Sequence, residues 1–339
     1  MNTRVIKIDP LNIDYSLMKR AAEFIKKGGL VAFPTETVYG LGAKGTDEKA
    51  VAKIFEAKAR PLEDPLIVHI KDKNDLYKIA KDVPRLAEKL IEKFWPGPLT
   101  IILKKNKNIP DIVTAGLDTV AVRMPSNPIA RVLIELSDVS IPAPSANLFG
   151  RPSPTSAEHV LNDLDSRIDM VIDGGICDIG LESTVIEFRG NEAAILRPGG
   201  ITLERLCEIE KNIIPYDEKN VIKNSPGKYP CHYSPKAKVV IAENNAEQIE
   251  NVLSLSAFYK KSGYKTGIMC KKEHAGFLKS FDYKELGPSG DFCVCAGRLF
   301  SILREFDDEK FDVIIAEGIE EKELGIAIMN RLRKAVGTV

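Results

Sequence analysis

Residues 16–34 read SLMKRAAEFIKKGGLVAFP, and this stretch decides the fold class. Leu17, Ala21, Phe24 and Ile25 recur at helical spacing, so residues 16–27 predict an amphipathic helix. Gly28-Gly29 ends it, because glycine enters the left-handed conformation of a helix C-cap without steric cost. Residues 30–34 then form a short apolar strand. A helix feeding a buried strand is the building unit of an α/β layer protein.

The alternation continues along the chain. Thr46 is expected to cap a second helix, with Asp47 and Glu48 in its first turn and Val51, Ile54 and Phe55 as its buried stripe. A third helix spans 84–94 and stops at Trp95-Pro96-Gly97-Pro98. Residues 99–103 and 119–123 predict strands, Asn127-Pro128 opens a helix, and 139–143 reads as a buried strand. Thr155-Ser156-Ala157-Glu158 has the pattern of a capping box with Thr155 as the cap. Strands near 168–172, 184–188 and 193–196 and a helix from Thr202 follow. Residues 211–236 hold Pro215, Pro226, Pro230 and Pro235 with weak periodicity, and read as a linker. Beyond it, strands near 238–242, 265–269 and 311–316 alternate with helices near 245–261, 290–305 and 322–335. The expected organisation is an α/β domain over 1–210, a linker over 211–236 and a smaller Rossmann-like α/β domain over 237–339.

Composition narrows the class of function. The 339 residues are 44% apolar and 28% charged, and 48 basic side chains balance 48 acidic ones. Zero net charge gives no sign of bulk binding to nucleic acid or membrane. No apolar run approaches the ~20 residues of a membrane span. Met1-Asn2-Thr3-Arg4 lacks the apolar core of a signal peptide, so a cytoplasmic location is expected, without membrane contact. Cys293 and Cys295 are one residue apart, and His69, His159, His232 and His274 are scattered, so no zinc spacing is present.

Three segments carry chemistry. In Lys58-Ala59-Arg60-Pro61, Lys58 lies seven residues after Val51 and four after Ile54, on the buried stripe of its helix. Arg60 precedes a proline and is biased to an extended conformation. The pair reads either as a snorkelling lysine beside a surface arginine or as an anion clamp, with Arg60 as a fork and Lys58 as a point charge. Residues 143–155 leave the end of a strand, where open α/β sheets place ligands. Ser145 and Asn147, two apart on an extended chain, are expected to face the same side. Residues 33–42 also follow a strand. Gly40, Gly42 and Gly45 match a dinucleotide fingerprint formally, but five residues separate the strand from Gly40, against the tight turn the motif needs. Thr35, Thr37 and Tyr39 are expected to line a pocket wall with hydroxyls. Arg123, Ser183-Thr184 and Arg197-Pro198-Gly199 add cations and hydroxyls at other strand ends.

Together these motifs resemble the threonylcarbamoyl-AMP synthase family (the YrdC/YwlC type), in its long form with an extra C-terminal domain. The motifs are 33–42, Lys58-x-Arg60, 65–69, 94–100, 120–125, Ser145-x-Asn147, 182–186 and 197–199, in order along the first 210 residues. Residues 225–235 resemble the long members' linker, although Lys228-Tyr229-Pro230-Cys231 sets the aromatic one place early before His232-Tyr233. The resemblance implies a twisted, concave open α/β sheet that holds ATP and L-threonine, followed by the Rossmann-like domain. It implies that threonine captures bicarbonate or CO2 as a carbamate, that the carbamate attacks the α-phosphate of ATP, and that pyrophosphate leaves. The product would pass to a downstream tRNA threonylcarbamoyl transferase, with tRNA or RNA contact as a further expectation. Lys58, Arg60, Ser145 and Asn147 are the implied catalytic group. Arg60, Asp64, Thr119, Ser145, Asn147, Ser153, Arg197, His232 and Tyr233 are implied at the nucleotide. Thr35, Thr37, Tyr39, His69, Arg123, Ala143 and Ser183 are implied at threonine. Mg²⁺ is expected with ATP, without a dedicated protein cage. The alternative reading is an RNA-binding module without adenylate chemistry.

Overall fold

The computed structural model describes residues 2–190, 192–217 and 232–337. They fall into two compact units. Among the described residues, the first is drawn from 2–149, 154–178, 182–190 and 192–217, and the second from 150–153, 179–181 and 232–337.

The first unit is α/β with mixed sheets, as expected, and its strands sort into two of them. One sheet runs β1 (Arg4–Lys7), β9 (Met170–Asp173), β2 (Val31–Phe33), β3 (Gly40–Gly42). The larger runs β12 (Ile213–Ile214), β11 (Glu192–Arg197), β10 (Thr184–Arg189), β6 (Leu99–Lys105), β7 (Thr119–Arg123), β4 (Ile67–His69), β8 (Ile141–Pro142), with β5 (Ala80–Lys81) paired to β6. The strand expected over 139–143 shortens to the two residues of β8, because Pro142 offers no ladder donor.

The helices are α1 (Tyr15–Lys26), α2 (Glu48–Lys58), α3 (Asn74–Ile79), α4 (Arg85–Phe94), α5 (Asp111–Thr114), α6 (Pro128–Ser137), α7 (Ala157–Leu164) and α8 (Leu203–Cys207). Side chains set their starts. Asp14 caps α1 by accepting from the Ser16 and Leu17 amides, and Gly28 closes it at φ +76°. The cap of α2 is Asp47 and not Thr46: its carboxylate accepts from the Lys49 and Ala50 amides, and its charge suits the helix dipole. Similarly, Ser156 and not Thr155 caps α7, by accepting from the His159 amide. The Thr155 hydroxyl instead lies 3.3 Å from His159 Nδ1.

The core of this unit has two apolar clusters. One gathers Tyr39, Leu41, Ile54, Leu90, Ile101 and Val122. The other packs Met18 and Ile25 of α1 and Leu133 of α6 against Phe33 and Ile172. Each such side chain, fully buried, contributes roughly 1.5–3 kcal/mol. Gly40 and Gly42 lie inside β3, antiparallel to β2, with no helix start beside them, so the glycine pattern is not a dinucleotide turn.

The second unit is an all-parallel sheet in the order β13 (Lys238–Ala242), β16 (Val313–Glu317), β14 (Thr266–Lys271), β15 (Tyr283–Gly287). Its helices are α9 (Gln248–Lys261), α10 (Phe292–Asp308) and α11 (Leu324–Val336). The edge strand β15 was not expected. Its Tyr283, Lys284 and Glu285 are only half-buried, so it carries no apolar run to read. Within the expected linker, described residues end at 217 and resume at 232; the altered stretch 228–231 lies outside the described residues. No described helix is long and apolar enough to cross a membrane.

Candidate functional site

Strand register builds the first half of the site. Parallel β4 and β7 set His69 opposite Arg123, and antiparallel β6 and β7 set Thr100 opposite Arg123. Residues directly opposite project to one face, so His69, Arg123 and Thr100 form a row across the sheet. Ser183, just before β10, extends the row: its Oγ lies 2.7 Å from Thr100 Oγ1. Arg197 fixes Ser183, donating from Nε and Nη2 to its carbonyl at 3.1 and 3.0 Å and from Nη2 to its hydroxyl at 3.1 Å.

Arg123 is the centre of the row. Its Nη1 donates to Thr37 Oγ1 at 2.8 Å and its Nε to the Gly97 carbonyl at 3.3 Å. Its Nη2 lies 2.8 Å from Glu36 Oε1, in an ion pair where both side chains are almost wholly buried. Burial alone would raise the Glu36 pKa, but the Arg123 charge overcomes this and holds the carboxyl below its ordinary value. His69 behaves oppositely: burial, with the Arg123 charge second, pushes its pKa down to about 3, so the ring is neutral. Its Nδ1 has no hydrogen-bond partner.

Thr35 and Thr37 reach the row by a bend and not by strand alternation. Thr35 Oγ1 accepts from the Thr37 and Val38 amides and lies 2.7 Å from Thr37 Oγ1. Beyond the turn Tyr39 is directed elsewhere, and its hydroxyl does not join the two threonines. That hydroxyl donates to the Gly175 carbonyl at 2.7 Å and accepts from the Gly174 amide, while burial pushes its pKa up. Ala143 is buried, with its amide on the Ile67 carbonyl next to β4.

The second half gathers at the end of α2. Lys58 is 1% exposed, as its place on the stripe predicts. Its ammonium donates to the backbone carbonyls of Ser145 at 2.6 Å and Asn147 at 2.5 Å. The segment is not extended here, because the Asn147 amide turns back to the Ser145 carbonyl at 3.1 Å. Carbonyls gathered by Lys58, and not side chains on one face of a strand, bring Ser145 and Asn147 together. Arg60 Nη2 meets Asp64 Oδ2 at 2.8 Å, and the guanidinium also donates to the Asp64 and Pro65 carbonyls.

Thr119, expected at the nucleotide, begins β7 and Arg123 ends it, so Thr119 lies about 13 Å along the strand from the threonine row. Ser153, His232 and Tyr233 belong to the second unit. There Tyr233 stacks on Phe300 with centroids 5.4 Å apart and lies under the Arg331 guanidinium, while the His232 amide donates to the Lys334 carbonyl. Among the described residues, no group of three or more His, Cys, Asp or Glu gathers to hold a metal.

Sequence reasoning passed over Glu36 and Thr100. A charged residue between two threonines, inside the motif 33–42, was the available signal for Glu36. Thr100 carried only its place at the end of the motif 94–100, at the start of a strand.

Known proteins resemble the chain over nearly its whole length. A family model described as telomere recombination (Sua5, YciO and YrdC) matches residues 23–199, and one described as threonylcarbamoyl-AMP synthase, C-terminal domain, matches residues 201–337. The chain is 48% identical over 323 residues to a threonylcarbamoyl-AMP synthase of Pyrococcus abyssi, covering 94% of this chain and 93% of that protein. It is 43% identical over 336 residues to the Bacillus subtilis protein of that name, covering 97% and 95%. A crystal structure of P. abyssi Sua5 complexed with L-threonine superposes with a TM-score of 0.92 at 44% identity, covering 98% of each chain.

Proposed function

The chain belongs to the threonylcarbamoyl-AMP synthase family, and on that premise we propose how its own residues carry the reaction. The protein joins L-threonine, bicarbonate or CO2, and ATP into threonylcarbamoyl-AMP, with release of pyrophosphate. In class it is a nucleotidyltransferase, since an adenylyl group moves from pyrophosphate to a carbamate oxygen.

The observation that carries the reading is the row of His69, Arg123, Thr100 and Ser183 across the large sheet, with Thr37 bonded to Arg123. A guanidinium, a neutral imidazole and several hydroxyls side by side suit a small amino acid with a hydroxyl side chain. Arg123 receives the carboxylate, and Thr35, Thr37, His69 and Ser183 complete the threonine subsite beside the Ala143 backbone. The amine is then free to take up CO2 as a carbamate. Lys58 acts on the nucleotide side by drawing the Ser145 and Asn147 carbonyls inward, which shapes that turn. Arg60, Ser145, Asn147 and Arg197 supply donors to phosphate and nucleoside. No covalent nucleophile is needed, because transfer at phosphorus rests on positioning and charge stabilisation.

Mg²⁺ accompanies ATP in this proposal. Asp64 is the carboxylate of the nucleotide set: its Oδ2 is ion-paired with Arg60, and its buried Oδ1 lacks a hydrogen-bond partner, which fits a site built from one protein carboxylate oxygen and substrate phosphates. The bound ion supplies neutralisation of polyphosphate charge. The product is an activated carbamoyl group, consumed by a downstream tRNA threonylcarbamoyl transferase.

Purified protein given ATP, L-threonine and bicarbonate is expected to release pyrophosphate. Lys58→Ala and Arg60→Ala should each depress the rate. ATP turnover that ignores threonine, or full activity in both variants, would sink the assignment. A salt-dependent RNA affinity indifferent to both substrates would favour the RNA-binding alternative.

A further inference from the structure

Glu36 is the charged group of the threonine row that the proposed reaction leaves unused. It is 4% exposed, and its partner Arg123 is equally buried. A buried ion pair is weak support for stability, since desolvating both charges costs about what their attraction returns. An apolar pair of similar volume would hold the fold as well, so stability alone does not explain this one.

The geometry gives a better account. The three nitrogens of Arg123 face three different partners: Nε the Gly97 carbonyl, Nη1 the Thr37 hydroxyl, and Nη2 the Glu36 carboxylate. A guanidinium is planar and rigid, so three contacts fix both its position and its rotation. The Glu36 contact differs in kind from the other two: it is an ion pair at 2.8 Å, and the carboxylate that makes it is itself held by the Glu36 and Ser126 backbone. Glu36 therefore anchors the guanidinium through charge, while three contacts on five N–H groups leave others open. Charge points the same way. His69 is neutral, so Arg123 and Glu36 cancel and the row carries no net charge. A neutral row suits a zwitterion, which brings one charge of each sign.

We propose that Glu36 is a positioning residue for the amino-acid subsite: its carboxylate holds the Arg123 guanidinium so that its remaining N–H groups meet the substrate's α-carboxylate. The proposal rests on the row being the threonine subsite.

The test uses the full chain with two substrates. L-Threonine carries the α-carboxylate; L-threoninamide keeps the amine and side chain but lacks that charge. Pyrophosphate release is measured for wild type, Glu36→Gln and Glu36→Asp, together with the KM for ATP and the melting temperature. Glu36→Gln should raise the threonine KM about tenfold and shrink the preference for threonine over threoninamide by about the same factor, with the ATP KM within about twofold of wild type. Glu36→Asp keeps the charge with a shorter reach and should fall between the two. Equal losses on both substrates would mark a general structural role and overturn the proposal, as would an unchanged threonine KM. If Glu36→Gln does not fold, Glu36→Asp decides: a wild-type preference overturns the proposal. A wild type without threonine-dependent pyrophosphate release would instead defeat the proposed function. Calorimetric binding of the two ligands would then still read Glu36 on its own.

Discussion

At the scale of single residues, Lys58 shows how a cation can be buried usefully. Its ammonium replaces lost water with two backbone carbonyls. Lys58→Met keeps the stem and removes the donors, leaving those carbonyls without it. The expected destabilisation is about 2–4 kcal/mol in urea unfolding, with a loss of pyrophosphate release of at least about tenfold. A change below about 0.5 kcal/mol would mean that water takes over the carbonyls. His69 carries a pH prediction. Its unfolded pKa of 6.5 falls to about 3 on burial. Between these values the unfolded chain binds the extra proton, so stability drops as pH falls through that window, by up to about 1.4 kcal/mol per pH unit. Glu36 adds a loss of the same sign only below its ordinary 4.5, because its folded pKa is lowered. His69→Asn should flatten the slope between pH 6.5 and 4.5, and an unchanged slope would contradict a neutral buried ring. The stripe position of Lys58 was legible because helical periodicity places it without tertiary knowledge. The partners of Lys58 were not, since they come from a loop some ninety residues later. Arg123 was legible as a strand-end cation, but its pairing with Glu36 depends on a bend that no spacing rule encodes.

At the scale of elements, the site depends on how helices start and how strands align. Asp47 caps α2, the helix that delivers Lys58. Asp47→Ala should cost about 1 kcal/mol of stability, whereas Thr46→Ala should cost less than about 0.5. Comparable losses would return the cap to Thr46. The α1, α2, α4 and α6 helices were readable from apolar periodicity and capping chemistry, to within a residue or two at their starts. So were β6 and β7, whose apolar runs are buried on both faces. The strands β1 and β15 were not, because charged residues break their pattern: the exposed Arg4 and Lys7 in the first, the half-buried Lys284 and Glu285 in the second. Pairing was hidden altogether. That β4 lies beside β7, and β7 beside β6, is a property of the assembled sheet, and it alone sets His69, Arg123 and Thr100 in one row. Thr100→Val tests the row at this scale. It keeps the β-branched shape and removes the hydroxyl that meets Ser183, so the threonine KM should rise several-fold with the ATP KM steady. Equal effects on both would place Thr100 outside the threonine subsite.

At the scale of the whole molecule, each unit closes a core of its own. In the first, buried side chains from α1, α2, α4 and α6 pack on two sheets. In the second, a separate cluster of Val252, Ile268, Cys270, Val313 and Ile315 covers one face of the parallel sheet. Local opening follows contiguous cores, so a lesion in one should be felt there first. Two cysteines report on the two cores. Cys177 is buried in the first unit, where desolvation raises its thiol pKa, and Cys270 is fully buried in β14, its thiol pushed up to about 12, first by burial. Neither should react with an alkylating reagent until its surroundings open. Phe306 of α10 is fully buried and packs edge-on to Phe311 at 5.1 Å. Phe306→Ala removes a ring whose loss costs about 3–5 kcal/mol. Pulse alkylation along a urea series, read by peptide mass, should then show Cys270 labelled at distinctly lower urea than in wild type. Cys177 should keep its midpoint. Equal shifts at both cysteines would show a single cooperative unit, and the separate cores would then be a feature of packing and not of energetics.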